Sequence, residues 1–393
     1  MRILLLGEYS RLHNSLKEGL IALGNEVILV SDGDAFKNYP CDYSISPKFF
    51  ESFGIRKVKN LIFKISKFDI CDLERGFRFY LLLKKLKGFD AVQLINERSI
   101  KTTVSFEIFL LKKIFKNNKK VFLLSCGTDY VNTKFLLKNS LKYSVFTPYF
   151  NKETDLKSYF YMLYYVSKSH KKLHHFLYEN CEGVIASDMD YHLPLISYKN
   201  YLGLVANPIN TDKISYTELK ITNKTVIFLG INRYSYVRKG IVFFEKALAI
   251  IKEKYADKVE IIVTENIPYA EYIAIYNRAH ILLDQVYAYD QGYNALEAMA
   301  KGKVVFTGAE SEFLAHYNLL EDEVCINALP NENDIVAKLS LLIENHEKII
   351  EISKNARKFI EKEHDYKLVA KKYLAIWSEE NKLSKVNTKH NKI

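Results

Sequence analysis

Short apolar runs alternate along this chain with stretches in which apolar residues recur at helical spacing. That alternation predicts parallel strands buried on both faces and covered by helices. In the first half the runs at 3–6, 26–30, 91–95, 121–125, 183–186 and 202–205 read as strands. Between the first two, Leu12, Leu16, Leu20 and Leu23 share a helical face and Gly24 stops the helix. The turn Asn207-Pro208 breaks the pattern, and the alternation then starts again. Strands are expected at 226–230, 259–263, 279–283 and 303–306, with a helix over 241–254. The order therefore predicts two doubly wound α/β units, each with a ligand edge beyond its strand C-termini. A length of 393 residues suits two cores better than one. The expected units are 1–206 and 207–365, followed by a helix over 366–378. The polar tail 379–393 has no apolar periodicity and is expected to be disordered.

Composition excludes several classes. At 48% hydrophobic and 26% charged residues the chain is an ordinary globular one. None of its apolar runs approaches the ~20 residues of a membrane span. The run at 3–6 is too short for an export signal, so a cytoplasmic location is expected. Five cysteines without Cys-x-x-Cys spacing argue against a disulfide framework and a zinc cluster. His170 and His174 share a helical face, but no acidic residue stands between them and no third ligand is evident, so no metal site is expected.

The net charge of +11 is unevenly placed, because residues 48–120 hold 18 Lys and Arg against 7 Asp and Glu. Phe49, Phe50, Phe53, Phe63 and Phe68 are interleaved with those bases. Bases mixed with aromatics suit an anionic membrane surface, which would make the protein peripheral on the inner face of the cytoplasmic membrane. No nucleic-acid-binding motif accompanies the charge, and no nucleic-acid partner is expected.

Two segments of the second unit carry candidate chemistry. After the strand ending at Gly230 come Arg233, Arg238 and Lys239, immediately before a helix. Cations placed there suit a diphosphate, since charge, backbone donors and helix dipole converge. Further on, Asp284 to Phe306 reads as strand end, turn with Gly292, short helix, stop at Gly302 and buried strand. The N-terminus of that helix, Gly292-Tyr293-Asn294-Ala295, offers backbone donors to an anion. Glu297 follows one turn inside, suited to a sugar hydroxyl. Asn266 ends the strand beside the same edge, within reach of a nucleobase. The first unit offers Gly7, Glu8 and His13 beyond its first strand and Cys126 and Asp129 beyond a later one. A lone Gly7 falls short of a dinucleotide fingerprint.

The Leu296-Glu297-Ala298-Met299-Ala300-x-Gly302 segment resembles the donor-site signature of family 4 glycosyltransferases of the GT-B fold. In that family two spaced glutamates lead into this sequence. The first falls here at Tyr289, with Asp290 beside it as the substitute acid. Arg233 and Lys239 resemble the family's Arg and Lys pair, with one extra residue between them. Ala206-Asn207-Pro208-Ile209-Asn210 is similar to its interdomain linker. A histidine common in the family before the glycine of the later acceptor loop is replaced by Cys126, which leaves His13 as a substitute contact. The resemblance implies two Rossmann-like domains facing a central cleft, with the acceptor on the first and a nucleotide-sugar donor on the second. It also implies a last helix that crosses back to the first domain.

The activity so implied is transfer of a sugar from a nucleotide diphosphate to a surface glycan or lipid-linked acceptor, with retention of configuration. Arg233, Lys239 and Asp290 would act at the reacting centre. Arg233, Arg238, Lys239, Asn266, Gly292, Tyr293, Asn294, Ala295 and Glu297 would hold the donor. Cations can stabilise the leaving diphosphate themselves, so neither metal nor cofactor is expected. Two other classes fit the same residues: a non-catalytic sugar-nucleotide or glycan-binding protein, and a GT-B enzyme that epimerises or hydrolyses nucleotide sugars.

Overall fold

The computed structural model describes residues 1–34, 37–66, 68–265, 267 and 269–378. Seven parallel strands form the first sheet: β1 (Arg2–Leu6), β2 (Glu26–Ser31), β3 (Tyr43–Ser44), β4 (Ala91–Leu94), β5 (Lys120–Ser125), β6 (Gly183–Ala186) and β7 (Tyr201–Leu204). Their order is β3-β2-β1-β4-β5-β6-β7, and it reverses direction between β1 and β4. The second sheet contains β8 (Thr225–Ile231), β9 (Val259–Glu265), β10 (Ile281–Leu283), β11 (Val304–Thr307) and β12 (Ile326–Asn327). Its order is β12-β11-β10-β8-β9, again all parallel.

Alternation within strands feeds two apolar layers per sheet. Ile3 and Leu5 enter one cluster with Leu12, Leu16 and Leu20, whereas Leu4 and Leu6 enter another with Leu110 and Leu111. In the second sheet Ile227, Leu229 and Phe306 pack to one side, and Phe228 and Val305 to the other. The short strands β3 and β12 were not expected from the sequence. Each is only two residues long, too short to show a periodicity.

The aromatic segment from Leu156 to Val166 is not one continuous helix. It is three tight turns, Leu156–Tyr159, Phe160–Leu163 and Tyr164–Val166. Tyr159 and Tyr165 are buried while Phe160, Tyr161 and Tyr164 are exposed.

The chain passes between the sheets twice, and the two passes pair. Ile209 bridges Asp365 in parallel, with Ile209 N–H donating to the His364 carbonyl at 2.7 Å and Tyr366 N–H to the Ile209 carbonyl at 3.0 Å. The last helix, Tyr366–Ser378, then packs on the first, Leu12–Ala22. Gly19 makes that approach possible, because a Cβ there would stand 2.2 Å from the Tyr366 carbonyl oxygen. Trp377, the single tryptophan, is wholly buried beneath the first sheet and donates to the Gln93 side chain of β4 at 3.2 Å.

Candidate functional site

The C-terminal ends of both sheets meet at a seam, and the local sequence explains how cations reach it. Beyond β8, Asn232 caps a tight turn by accepting from Tyr234 N–H at 3.0 Å. A single helical turn, Tyr236–Lys239, ends at Gly240 with φ of 65°, a left-handed conformation that glycine adopts without strain. The adjoining Val286 N–H donates to the Lys239 carbonyl at 2.9 Å, which fixes this turn beside the end of β10. Lys239 Nζ consequently lies 2.9 Å from Asp284 Oδ1, and Asn294 Nδ2 donates to the same oxygen at 3.1 Å. Asp284 is buried, and its Oδ2 finds no hydrogen-bond partner among the described residues. Asp284 ties the cation-bearing turn to the helix Tyr293–Ala300.

Gly292 caps that helix with extended backbone. Lys239, Arg238, Gln291 and Gly292 line a cleft of about 300 Å³ on the seam, shared with Asn132, Asp188 and Asp190 from the first half. On the other flank of the helix, Asn294, Glu297, Lys301 and Lys303 line a larger cleft of about 990 Å³, together with Ser10 and Lys37 of the first half. Both volumes lie in the range of small-molecule sites. Burial pushes Glu297 above the ordinary carboxylate range, while the charges of Arg11, Lys301 and Lys37 oppose that shift. Burial lowers Lys303 to about 8.

Arg233 is paired with Glu265 at 2.7 Å, more than half exposed, on the outer edge beside β9 rather than on the Lys239–Asp284 contact. Arg238 stacks over Tyr234 and donates to its carbonyl at 3.2 Å. Asp290 is buried, accepting from Met189 N–H at 3.0 Å and from Gln291 N–H at 2.6 Å, and burial raises it to about 6. Its neighbour Tyr289 is buried too, its hydroxyl accepting from Lys142 N–H at 3.0 Å.

Tyr293 reaches across the seam, where its hydroxyl donates to the Pro208 carbonyl and lies 2.9 Å from Ser15 Oγ. Ala295 points into the second core, so only its backbone can serve a ligand. Asn266 lies outside the described residues.

On the first half, Gly7 has φ of 85° and accommodates Ile95 where a Cβ would stand 2.3 Å from it. Glu8 is buried and accepts from Asn14 N–H at 2.9 Å and Asn14 Nδ2 at 2.6 Å; burial raises it to about 7. His13 Nδ1 donates to the Gly7 carbonyl at 2.7 Å, and burial depresses its pKa to about 3, so the ring is neutral. Cys126 is half-buried with its thiol pushed up by burial. Asp129 caps the helix Tyr130–Leu136 by accepting from Asn132 N–H at 2.7 Å and also accepts from Ser125 Oγ; burial raises it to about 7. His174 Nδ1 lies 2.8 Å from Glu97 in the first core, and His170 packs against Tyr164 and Tyr165.

Sequence reasoning did not single out Asp188, Asp190, Lys37 or Lys301. Asp188 and Asp190 straddle the start of the helix Met189–Leu195 and carry no motif, and Lys37 lies far in sequence from the helix it faces. Nor did it give a role to Asp284, the strand-end residue that the structure makes the link between Lys239 and Asn294.

Two parallel α/β sheets whose C-terminal edges face one seam, with a last helix returned to the first sheet, constitute the GT-B fold. Comparison with known proteins agrees. Residues 239–375 match the model of a family described as glycosyl transferase-like. A sucrose-phosphate synthase from Thermosynechococcus elongatus is similar with a TM-score of 0.62 over 96% of this chain and 98% of that one, at 14% identity. Anabaena HepE, solved in complex with UDP and glucose, gives 0.56 over 95% and 98% at 11% identity. A glycosyltransferase from Rickettsia africae gives 0.51 over 95% and 97% at 13% identity. No curated protein sequence matches the chain.

Proposed function

We propose that this protein is a glycosyltransferase that moves a sugar from a nucleotide-diphosphate donor to a glycan or lipid-linked acceptor at the inner face of the cytoplasmic membrane. The observation that carries this reading is the Lys239–Asp284–Asn294 chain of contacts, which sets a cation and a helix N-terminus side by side with Glu297 one turn along. The match to a glycosyl transferase-like family over these same residues supports it, as does a HepE structure holding UDP and glucose on the same fold.

In this reading the diphosphate sits at Gly292, against Lys239 and Arg238, and the ribose reaches Glu297. Negative charge grows on the leaving diphosphate as the bond to the anomeric carbon breaks. Preorganised cations and backbone N–H groups lower that barrier. The acceptor oxygen bonds to the anomeric carbon on the face the diphosphate leaves, passing its proton to a phosphate oxygen, so configuration is retained.

A panel of nucleotide sugars, scored first by thermal stabilisation and then by product formation, tests the reading. Nucleoside diphosphate should appear only when donor and acceptor are both present, with the sugar recovered on the acceptor. Equal release without acceptor would assign hydrolysis instead, and stabilisation without any turnover would assign a binding protein.

A further inference from the structure

The helix Arg56–Ser66 has no buried residue, although it is strongly amphipathic. At 100° per residue Val58, Leu61, Ile62 and Ile65 fall on one face, while Arg56, Lys57, Asn60 and Lys64 fall on the other. That apolar face is open to solvent, with Ile65 77%, Leu61 57% and Val58 52% exposed. Phe53, just before the helix, is 97% exposed. Such a face has no place on an isolated globular surface unless something covers it.

Neighbouring elements extend the same character. The helix Cys71–Leu82 exposes Phe77, Tyr80 and Leu81, and the helix Val104–Asn117 exposes Phe109, whose ring stacks on Tyr80 at 6.4 Å between centroids. The segment leading into the Arg56–Ser66 helix is firmly mounted. Lys48, Phe49 and Phe50 donate their backbone N–H groups to the single carboxylate of Glu74, at 2.8, 2.9 and 3.0 Å. Arg56 and Lys59 are ion-paired with Glu51, whose Oε1 accepts from Cys71 Sγ at 3.6 Å.

We propose that the helix Arg56–Ser66 lies in the plane of an anionic lipid surface, its Val58–Leu61–Ile62–Ile65 face in the acyl boundary and its bases among the headgroups. Charge selects this occupant. The 18 bases against 7 acids of residues 48–120 equal the whole surplus of the chain, which an anionic bilayer matches along its entire area. Eleven residues cannot span a bilayer, so the helix lies along it. The inference sharpens the membrane placement in the reading above and is independent of the transfer chemistry.

Co-sedimentation of the full chain with vesicles of phosphatidylglycerol mixed with phosphatidylcholine, and with phosphatidylcholine alone, tests it. Binding should be confined to the anionic vesicles and fall as salt is raised. The exposed pairs Leu61→Asp with Ile65→Asp, and Lys57→Glu with Lys64→Glu, should each weaken binding about tenfold or more. Neither pair should alter thermal stabilisation by UDP, which reports the donor cleft and separates a failed surface from a failed cleft. Equal binding to neutral vesicles, no binding to either, or unchanged binding by both variants would overturn the proposal. So would a dimer in gel filtration that Leu61→Asp dissolves, since the face would then belong to a second copy. Vesicle binding without any stabilisation by nucleotides would leave the surface in place and remove the glycosyltransferase reading.

Discussion

At the scale of single residues, Lys239 is the cation that geometry ties to the helix N-terminus, whereas Arg233 is held outward by Glu265. Lys239→Ala is therefore expected to lose turnover by roughly 2–4 kcal/mol, the scale of removing one charge-stabilising donor. Arg233→Ala should lose less, and steady-state rates at saturating and subsaturating donor give the ranking. A larger loss for Arg233 would mean that the Glu265 pair opens when the donor binds. Glu297→Gln keeps the shape and removes a charge-assisted acceptor, so it should raise the donor KM by a factor equivalent to about 1–3 kcal/mol with little change in kcat. The cations, rather than a bound ion, carry leaving-group charge in this reading. Turnover should persist in excess chelator, and loss of activity restored by magnesium or manganese would refute that assignment.

At the scale of elements, close backbone approaches hold the site. A Cβ at Gly308 would stand 2.4 Å from the Ala288 carbonyl oxygen and 2.7 Å from Asp290 N, both in the loop that feeds the helix Tyr293–Ala300. Gly308→Ala must displace that backbone, so a loss of about 1–3 kcal/mol is expected in denaturant unfolding. The displacement should weaken nucleotide binding as well. Gly19→Ala meets the same obstacle at Tyr366, between the first and last helices. It should destabilise by a similar amount and shift the emission of the single Trp377 to the red, because that indole is buried only while the last helix is docked. Unchanged emission with lowered stability would place the strain elsewhere.

At the scale of the whole molecule, the two halves exchange backbone hydrogen bonds through carboxyls. Asp290 of the second half accepts from Met189 N–H at 3.0 Å, and Asp190 of the first accepts from Tyr289 N–H at 3.1 Å. Burial raises Asp290 to about 6 and Asp190 to about 7, with Asp290 adding to the shift at Asp190. Since an unfolded Asp titrates near 4, the folded state holds protons that the unfolded state has released, and these groups make stability fall as pH rises from about 4 through about 7. Buried histidines act oppositely in acid. His13 and His364 are lowered to about 3 and about 4, so stability falls as pH drops below their unfolded value of about 6.5. Asp190→Asn keeps the acceptor oxygen and removes the ionisation. Its stability relative to the parent should improve by on the order of 1–3 kcal/mol between about pH 5 and about pH 8. A pH-independent difference would show that Asp190 does not titrate in that window.

The sequence by itself determined the parallel strands, the break at Asn207-Pro208 and the helix that carries Glu297, because these depend on local periodicity and turn chemistry. It also located the basic, aromatic stretch at 48–120, since composition is additive along the chain. Only the tertiary structure decided that Arg233 turns to Glu265, that Asp290 is taken up by the Met189 N–H, and that Tyr293 reaches Ser15 and Pro208. Those partners lie on other elements, and which of several nearby partners a side chain meets depends on how the sheets pack. The open face of the helix Arg56–Ser66 belongs to the same category. Its amphipathic spacing reads in sequence like that of any core-facing helix, and only the arrangement of the whole chain leaves its apolar side uncovered.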